Sequence, residues 1–162
     1  MDIDEHFNKS TFVLKVIQPG LLGLMDGSVS TLAPLFAAAF ATKDPHIAFV
    51  VGMSAATGAG ISMAFAEGLS DSGELTGRGH PIIRGSIVGF MTFLGGVFHT
   101  LPFLLSNLNH ALILAYAVVG IELISIAFIR YHYLKTKFWL SVLQVIVGGI
   151  LVFLAGYFIG GG

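Results

Sequence analysis

Three acidic residues stand inside apolar stretches of this chain, and any chemistry it performs must begin with them. Asp26 lies within the run from Val16 to Ala41, with no basic residue in the neighbouring turns. A carboxylate at a helix centre in a bilayer costs about 2.5–3.5 kcal/mol on insertion scales, so such a group marks an ion or proton pathway by default. Met63 and Glu67 are spaced i, i+4 and share one side of a helix. A thioether with carboxylates is a mixed soft and hard donor set. It suits Fe²⁺, with Mn²⁺, Co²⁺ and Zn²⁺ as alternatives, better than Mg²⁺ or Ca²⁺, which prefer oxygen shells. A methionine in an apolar helix is also ordinary packing material, and spacing leaves both readings open.

The remaining candidates are each open in the same way. Glu122, with Ser125 and Tyr116 on the same segment, either faces a bundle interior, where it reads with His99 as a proton relay, or makes a buried interhelical hydrogen bond. His99, just before Pro102, reads as a proton relay, a metal ligand or a donor to a backbone carbonyl freed by the proline. Asp71 and Glu74, with His80, form either a cation-collecting vestibule or a solvated loop. Gln144 reads as interhelical glue.

The elements that must hold these residues are membrane spans. The chain has 162 residues, 55% hydrophobic and 10% charged, against about 25% charged in soluble domains. Its mean hydropathy is +0.87. A net charge of −1 offers no basic field for nucleic acid. The absence of cysteine excludes disulfides, iron–sulfur clusters and thiolate zinc sites. No nucleophile elbow, phosphate loop or zinc-protease motif is present, so a transporter or binding protein is expected rather than an enzyme.

Five segments approach or exceed the roughly 20 apolar residues that cross a bilayer: about 16–41, 46–70, 83–105, 111–130 and 138–160. The expected fold is an all-α membrane protein with short loops. Residues 1–15 read as a short cytoplasmic tail and 16–162 as one five-span domain. Asp44-Pro45, the Gly-rich run Ser72–Pro81, the turn Ser106–Asn109 and the basic stretch Tyr131–Lys137 punctuate it. Lys9, Lys15, Arg78, Arg84, Arg130, Lys135 and Lys137 fall on one side of this topology and only Lys43 on the other. The positive-inside rule then puts the N-terminus and the loops 71–82 and 131–137 in the cytoplasm, with the C-terminus outside. Trp139, Tyr131 and Tyr133 read as an interfacial belt. Pro19 and Pro34 flank Asp26, so the first span is expected to kink near it, although Pro19 also fits a simple first-turn proline. Gly52, Ala56, Gly60, Ala64 and Gly68 make a smooth ridge on the second span that lets another helix approach closely, beside Met63 and Glu67.

Two stretches resemble a known family. Gly23-Leu24-Met25-Asp26-Gly27-Ser28-Val29-Ser30-Thr31 is similar to the first-span signature of the vacuolar iron transporter family, and Ser62-Met63-Ala64-Phe65-Ala66-Glu67-Gly68-Leu69-Ser70 to its second-span motif. The runs Ala66–Pro81 and Gly95–Phe103 resemble the membrane domain of the bacterial membrane-bound ferritin branch. The chain departs from both branches: a short loop replaces the Glu-rich helical domain between spans two and three, and a short tail stands where Glu-rich N-terminal helices would be. The resemblance implies export of Fe²⁺ or a similar divalent metal from the cytoplasm in exchange for protons, with no permanently bound cofactor. It implies a two-fold symmetric homodimer in a bilayer, such as a bacterial inner membrane, with the path lined by Asp26, Met63 and then Glu67. It leaves a second reading, in which the chain moves nothing and serves as a membrane anchor or metal sensor for a ferritin-like iron-storage partner.

Overall fold

The structure is a computed structural model that describes residues 10–70, 72–74 and 76–161. Every regular element among them is helical, and five helices are long and apolar enough to span a membrane. The chain is thus all-α, with five candidate spans where the hydropathy predicts them.

The first span is broken rather than uniform. Among the described residues helix runs from Ser10, and the first candidate span is Ser10–Thr42, which takes in residues 10–15. A π-helical turn covers Val13–Ile17, where the Gln18 amide donates to the Val13 carbonyl. Pro19 explains it. Lacking an N–H, it cannot serve the Lys15 carbonyl, and the ladder shifts by one residue. Helix α1 follows (Gln18–Ser30), with Pro19 in its first turn. Thr31 separates it from α2 (Leu32–Thr42). The interruption matches Pro34, which leaves the Ser30 carbonyl without its i+4 donor. The break therefore lies more than a turn beyond Asp26, not at it.

Lys43 closes α2 in the left-handed region at φ 55°. Asp44 then caps α3 (Pro45–Gly68), accepting from the amides of His46 and Ile47. Helix α4 (Pro81–Phe98) stops at His99, and a 3₁₀ turn follows at Leu101–Leu104, so the third span is shorter than the apolar run to 105 suggests. Pro102 accounts for the change of geometry. Asn107 caps α5 (Leu108–Leu134), whose helix runs through Tyr131–Leu134; the basic connection shrinks to Lys135–Lys137 before α6 (Phe138–Ile159).

Helix α4 is the axis of the bundle, with α1 on one flank and α3 on the other. The ridge on α3 packs against α4 as its small residues predict. Ala64 meets Gly85 and Gly89, Gly60 meets Gly89 and Phe93, and Ala56 meets Gly96. On the α1 side a Cβ at Gly27 would lie 1.9 Å from the Thr92 carbonyl oxygen, and one at Gly23 2.1 Å from that of Val88. No residue but glycine permits this approach, and van der Waals packing of this kind drives helix association in lipid. Leu32, Leu35, Phe36, Ala39, Phe103, Ala111 and Ala115 fill the core at one end, where Phe36, Tyr116 and Phe153 stack or meet edge to face at 5.3–5.7 Å. The outer faces are apolar, with Phe65, Phe90, Ile121, Leu151 and Phe158 exposed. Beside Lys135–Lys137, Tyr131, Phe138 and Trp139 pack edge to face.

Candidate functional site

The buried acids of this bundle have different partners, and that difference separates their chemistry. Glu67 sits in the last turn of α3 and is buried. Its Oε1 lies 2.6 Å from Nε of Arg84 and 2.5 Å from a terminal nitrogen of Arg78. Arg84, almost wholly buried in the first turn of α4, also donates to the Glu67 carbonyl at 3.1 Å and to Ser70 Oγ at 3.2 Å. One guanidinium thus neutralises the carboxylate and satisfies the C-terminal end of α3, where helix carbonyls favour a cation. Oε1 of Glu67 could ligate a metal only by giving up these partners. The expected acidic mouth is correspondingly a mixed cluster: Glu74 is exposed, and Asp71 lies outside the described residues.

Glu122 has a titratable partner instead. Its Oε2 lies 2.9 Å from Nδ1 of His99, and Nε2 of His99 lies 2.8 Å from Oγ1 of Thr31. Thr31 in turn donates to the Gly27 carbonyl at 2.8 Å. All three side chains are buried. Both ring nitrogens of His99 are engaged, so it has no lone pair left for a metal, and it serves no carbonyl freed by Pro102. Oε1 of Glu122 is buried without a hydrogen bond. Glu122 borders an apolar crevice of about 320 Å³ with Leu24, Phe98, Val118, Ile121 and Ser125.

Asp26 is partly buried in α1, and among the described residues it has neither a hydrogen bond nor an ion pair. Leu24 borders the Glu122 crevice, and two residues of helix turn the direction by about 200°, so Asp26 lies on the other side of α1 from Glu122. Met63 is also partly buried. The residues beside them fix their level along α4: Gly27 meets Thr92, whereas Gly60 and Ala64 both meet Gly89. Asp26 and Met63 therefore flank α4 from opposite neighbours at levels about one helical turn apart. No group of three or more His, Cys, Asp or Glu side chains among the described residues is arranged to hold a metal.

Sequence reasoning flagged His99 and Glu122 together as a proton relay without showing that they touch. It also missed Thr31, Arg78 and Arg84 as site residues. A basic residue at the start of a span, seventeen residues after an acid at the end of the previous one, is the signal that could have found Arg84. Gln144 does join two helices, accepting from Arg130 at 3.0 Å. This chain matches no known family model, no curated protein and no solved structure.

Proposed function

We propose that this chain is a divalent transition-metal transporter that exports Fe²⁺ or a similar ion in exchange for protons, with Asp26 and Met63 as its metal-contacting side chains. The observation that carries the reading is the unpartnered state of Asp26: Glu67 and Glu122 each have a nitrogen partner, and Asp26 has none. An unpaired carboxylate in an apolar helix is costly, and a passing cation or a proton is what would relieve it. Met63 supports a softer metal than Mg²⁺ or Ca²⁺. The carboxylate must lose its proton to take the metal, so the two ions compete for one group and can be exchanged across it.

Two side chains are too few for a metal that takes four or more ligands. A second copy related by a two-fold axis would supply another Asp26 and Met63, and a homodimer with the path at its interface is the assembly this reading proposes. In this reading the Glu67–Arg84–Arg78 cluster lies at the cytoplasmic end of the path. The positive-inside distribution supports a cytoplasmic N-terminus.

Flux of Fe²⁺ into proteoliposomes under an imposed pH gradient tests the reading. Losing an Asp26 ligand should cost at least what losing a ligand-orienting partner costs, about 10–100-fold. Met63→Leu keeps the volume and costs less than about 1.5 kcal/mol of packing, so a comparable fall in flux from a well-folded variant identifies the sulfur as a ligand. Undiminished flux in both Asp26→Ala and Met63→Leu would refute the site. Binding of a ferritin-like domain without any metal flux would favour the anchor instead.

A further inference from the structure

We infer that Glu122, His99 and Thr31 form a proton-binding site separate from the metal path, whose state of loading is read out at the turn of α1 that carries Asp26. The inference deepens the exchange proposed above and rests on it for its use, but not for its chemistry.

The argument is a count of hydrogens. The Thr31 hydroxyl has one proton and two neighbours that could accept it, the Gly27 carbonyl and Nε2 of His99, each at 2.8 Å. It donates to one at a time. When it donates to Gly27, Nε2 must carry a proton and donate to Oγ1. The 2.9 Å contact between Nδ1 and Glu122 Oε2 then holds one further proton, on either atom. This loaded cluster is neutral overall. Removing one proton to water leaves Nε2 bare and Nδ1–H donating to a carboxylate. The Thr31 hydroxyl must then turn from Gly27 to Nε2, because a bare buried nitrogen beside an undonated hydroxyl wastes a bond worth about 1 kcal/mol. The emptied cluster carries one negative charge. No bond between heavy atoms changes; a single proton moves between the site and water.

Two features make the site a proton site and not a second metal site. His99 has both nitrogens engaged, and beside Glu122 the crevice is lined by Leu24, Phe98, Val118, Ile121 and Ser125, whose hydroxyl donates to the Ile121 carbonyl, so a metal ion would find there no more than one carboxylate oxygen and one hydroxyl. Little else at this depth could be titrated in its place. Helix α1 brings only Asp26, on its far side. Helix α2 carries no ionisable residue, while α3 has His46 and Glu67 at its two ends and α4 has Arg84 at its far end. On α5, Tyr116 lies in the aromatic cluster, and His110, Arg130, Tyr131, His132 and Tyr133 lie toward the ends. On α6 the one ionisable side chain is Tyr157. Thr31 stands at the break between α1 and α2, so its bond to Gly27 is part of the last turn of α1, one residue from Asp26. That is the route by which a proton on His99 is felt at the metal-contacting carboxylate.

Two measurements decide it, both on the full chain. In lipid nanodiscs, ¹⁵N spectra of the histidine rings, with His99 assigned through His99→Gln, report which nitrogens carry protons. As the pH is raised, His99 should pass from a protonated Nε2 to a bare one, and Glu122→Gln should abolish or displace that change. A His99 ring that keeps one protonation pattern throughout would overturn the inference. In proteoliposomes the ratio of Fe²⁺ flux with and without a pH gradient should fall about tenfold in Thr31→Val, within the usual range of coupling between two sites, and Thr31→Ser should restore it. Equal ratios in wild type and Thr31→Val would overturn the coupling. If wild type carries no metal flux at all, the transport reading fails, and the nanodisc spectra still decide the proton site.

Discussion

Glu67 and Glu122 are two buried carboxylates in one small bundle, and they have been neutralised in different ways. Glu67, where α3 leads into the loop to α4, faces the guanidinium groups of Arg84 and Arg78. Glu122, midway along α5, faces the imidazole of His99. Arginine stays charged at any pH a cell meets, so the first pair is a fixture. Histidine gains and loses its proton near neutrality, so the second can change state while the helices around it stay put. The same acidic residue thus serves as a strut in one place and as part of a switch in another. Asp26 has neither kind of partner among the described residues, and in the function proposed above that leaves it to the transported ion.

The sharpest way to break this contrast is to make the same isosteric change at both sites. Glu67→Gln removes the charge facing Arg84, whose guanidinium is almost wholly buried. An uncompensated buried charge costs about 3–5 kcal/mol, so this variant should unfold in detergent at markedly lower denaturant or temperature than wild type. Glu122→Gln leaves a neutral imidazole and an amide that can still hydrogen-bond to it. Its cost should be near that of one ordinary hydrogen bond, about 1 kcal/mol. Equal losses at the two positions would show that both acids are structural and that the contrast drawn from their partners is empty.

The frame that holds both acids could be read from the sequence because its signals are local. Apolar length gave the five spans, Asp44-Pro45 and the turn Ser106–Asn109 marked breaks between them, and the small-residue ridge on α3 announced a close helix contact without naming α4 as its partner. Span ends were less legible where a proline changes helix type, as at Pro102, or where aromatic residues carry the helix past the apolar core, as at Tyr131–Leu134. The partnerships were not legible at all. Glu67 and Arg84 are joined by a connection whose path depends on Gly73, Gly77 and Gly79, all at positive φ, and His99 meets Glu122 only because α4 ends at Phe98 and turns the imidazole inward. Thr31 stood in the motif around Asp26 with no role, since nothing in its neighbourhood indicated a histidine 68 positions away.

The gentlest test lies within the fixture itself. Arg78 and Arg84 touch the same oxygen of Glu67, but the Arg78 side chain is 29% exposed and the Arg84 side chain 1%. Water screens the first and not the second, so an exposed member of an ion pair contributes about 0.2–1 kcal/mol. Arg78→Ala should therefore change stability by no more than that, with an effect that shrinks as salt is added, whereas Arg84→Ala should approach the full loss seen for Glu67→Gln. Arg78 is also the partner that can leave without stranding a buried charge. If Glu67 is exposed to passing cations during the proposed transport, Arg78→Ala should raise metal access at this end of the bundle, and flux should rise or hold while it falls in Arg84→Ala. The reverse order would place the working contact on the exposed arginine and make Arg84 a mere anchor for the end of α3.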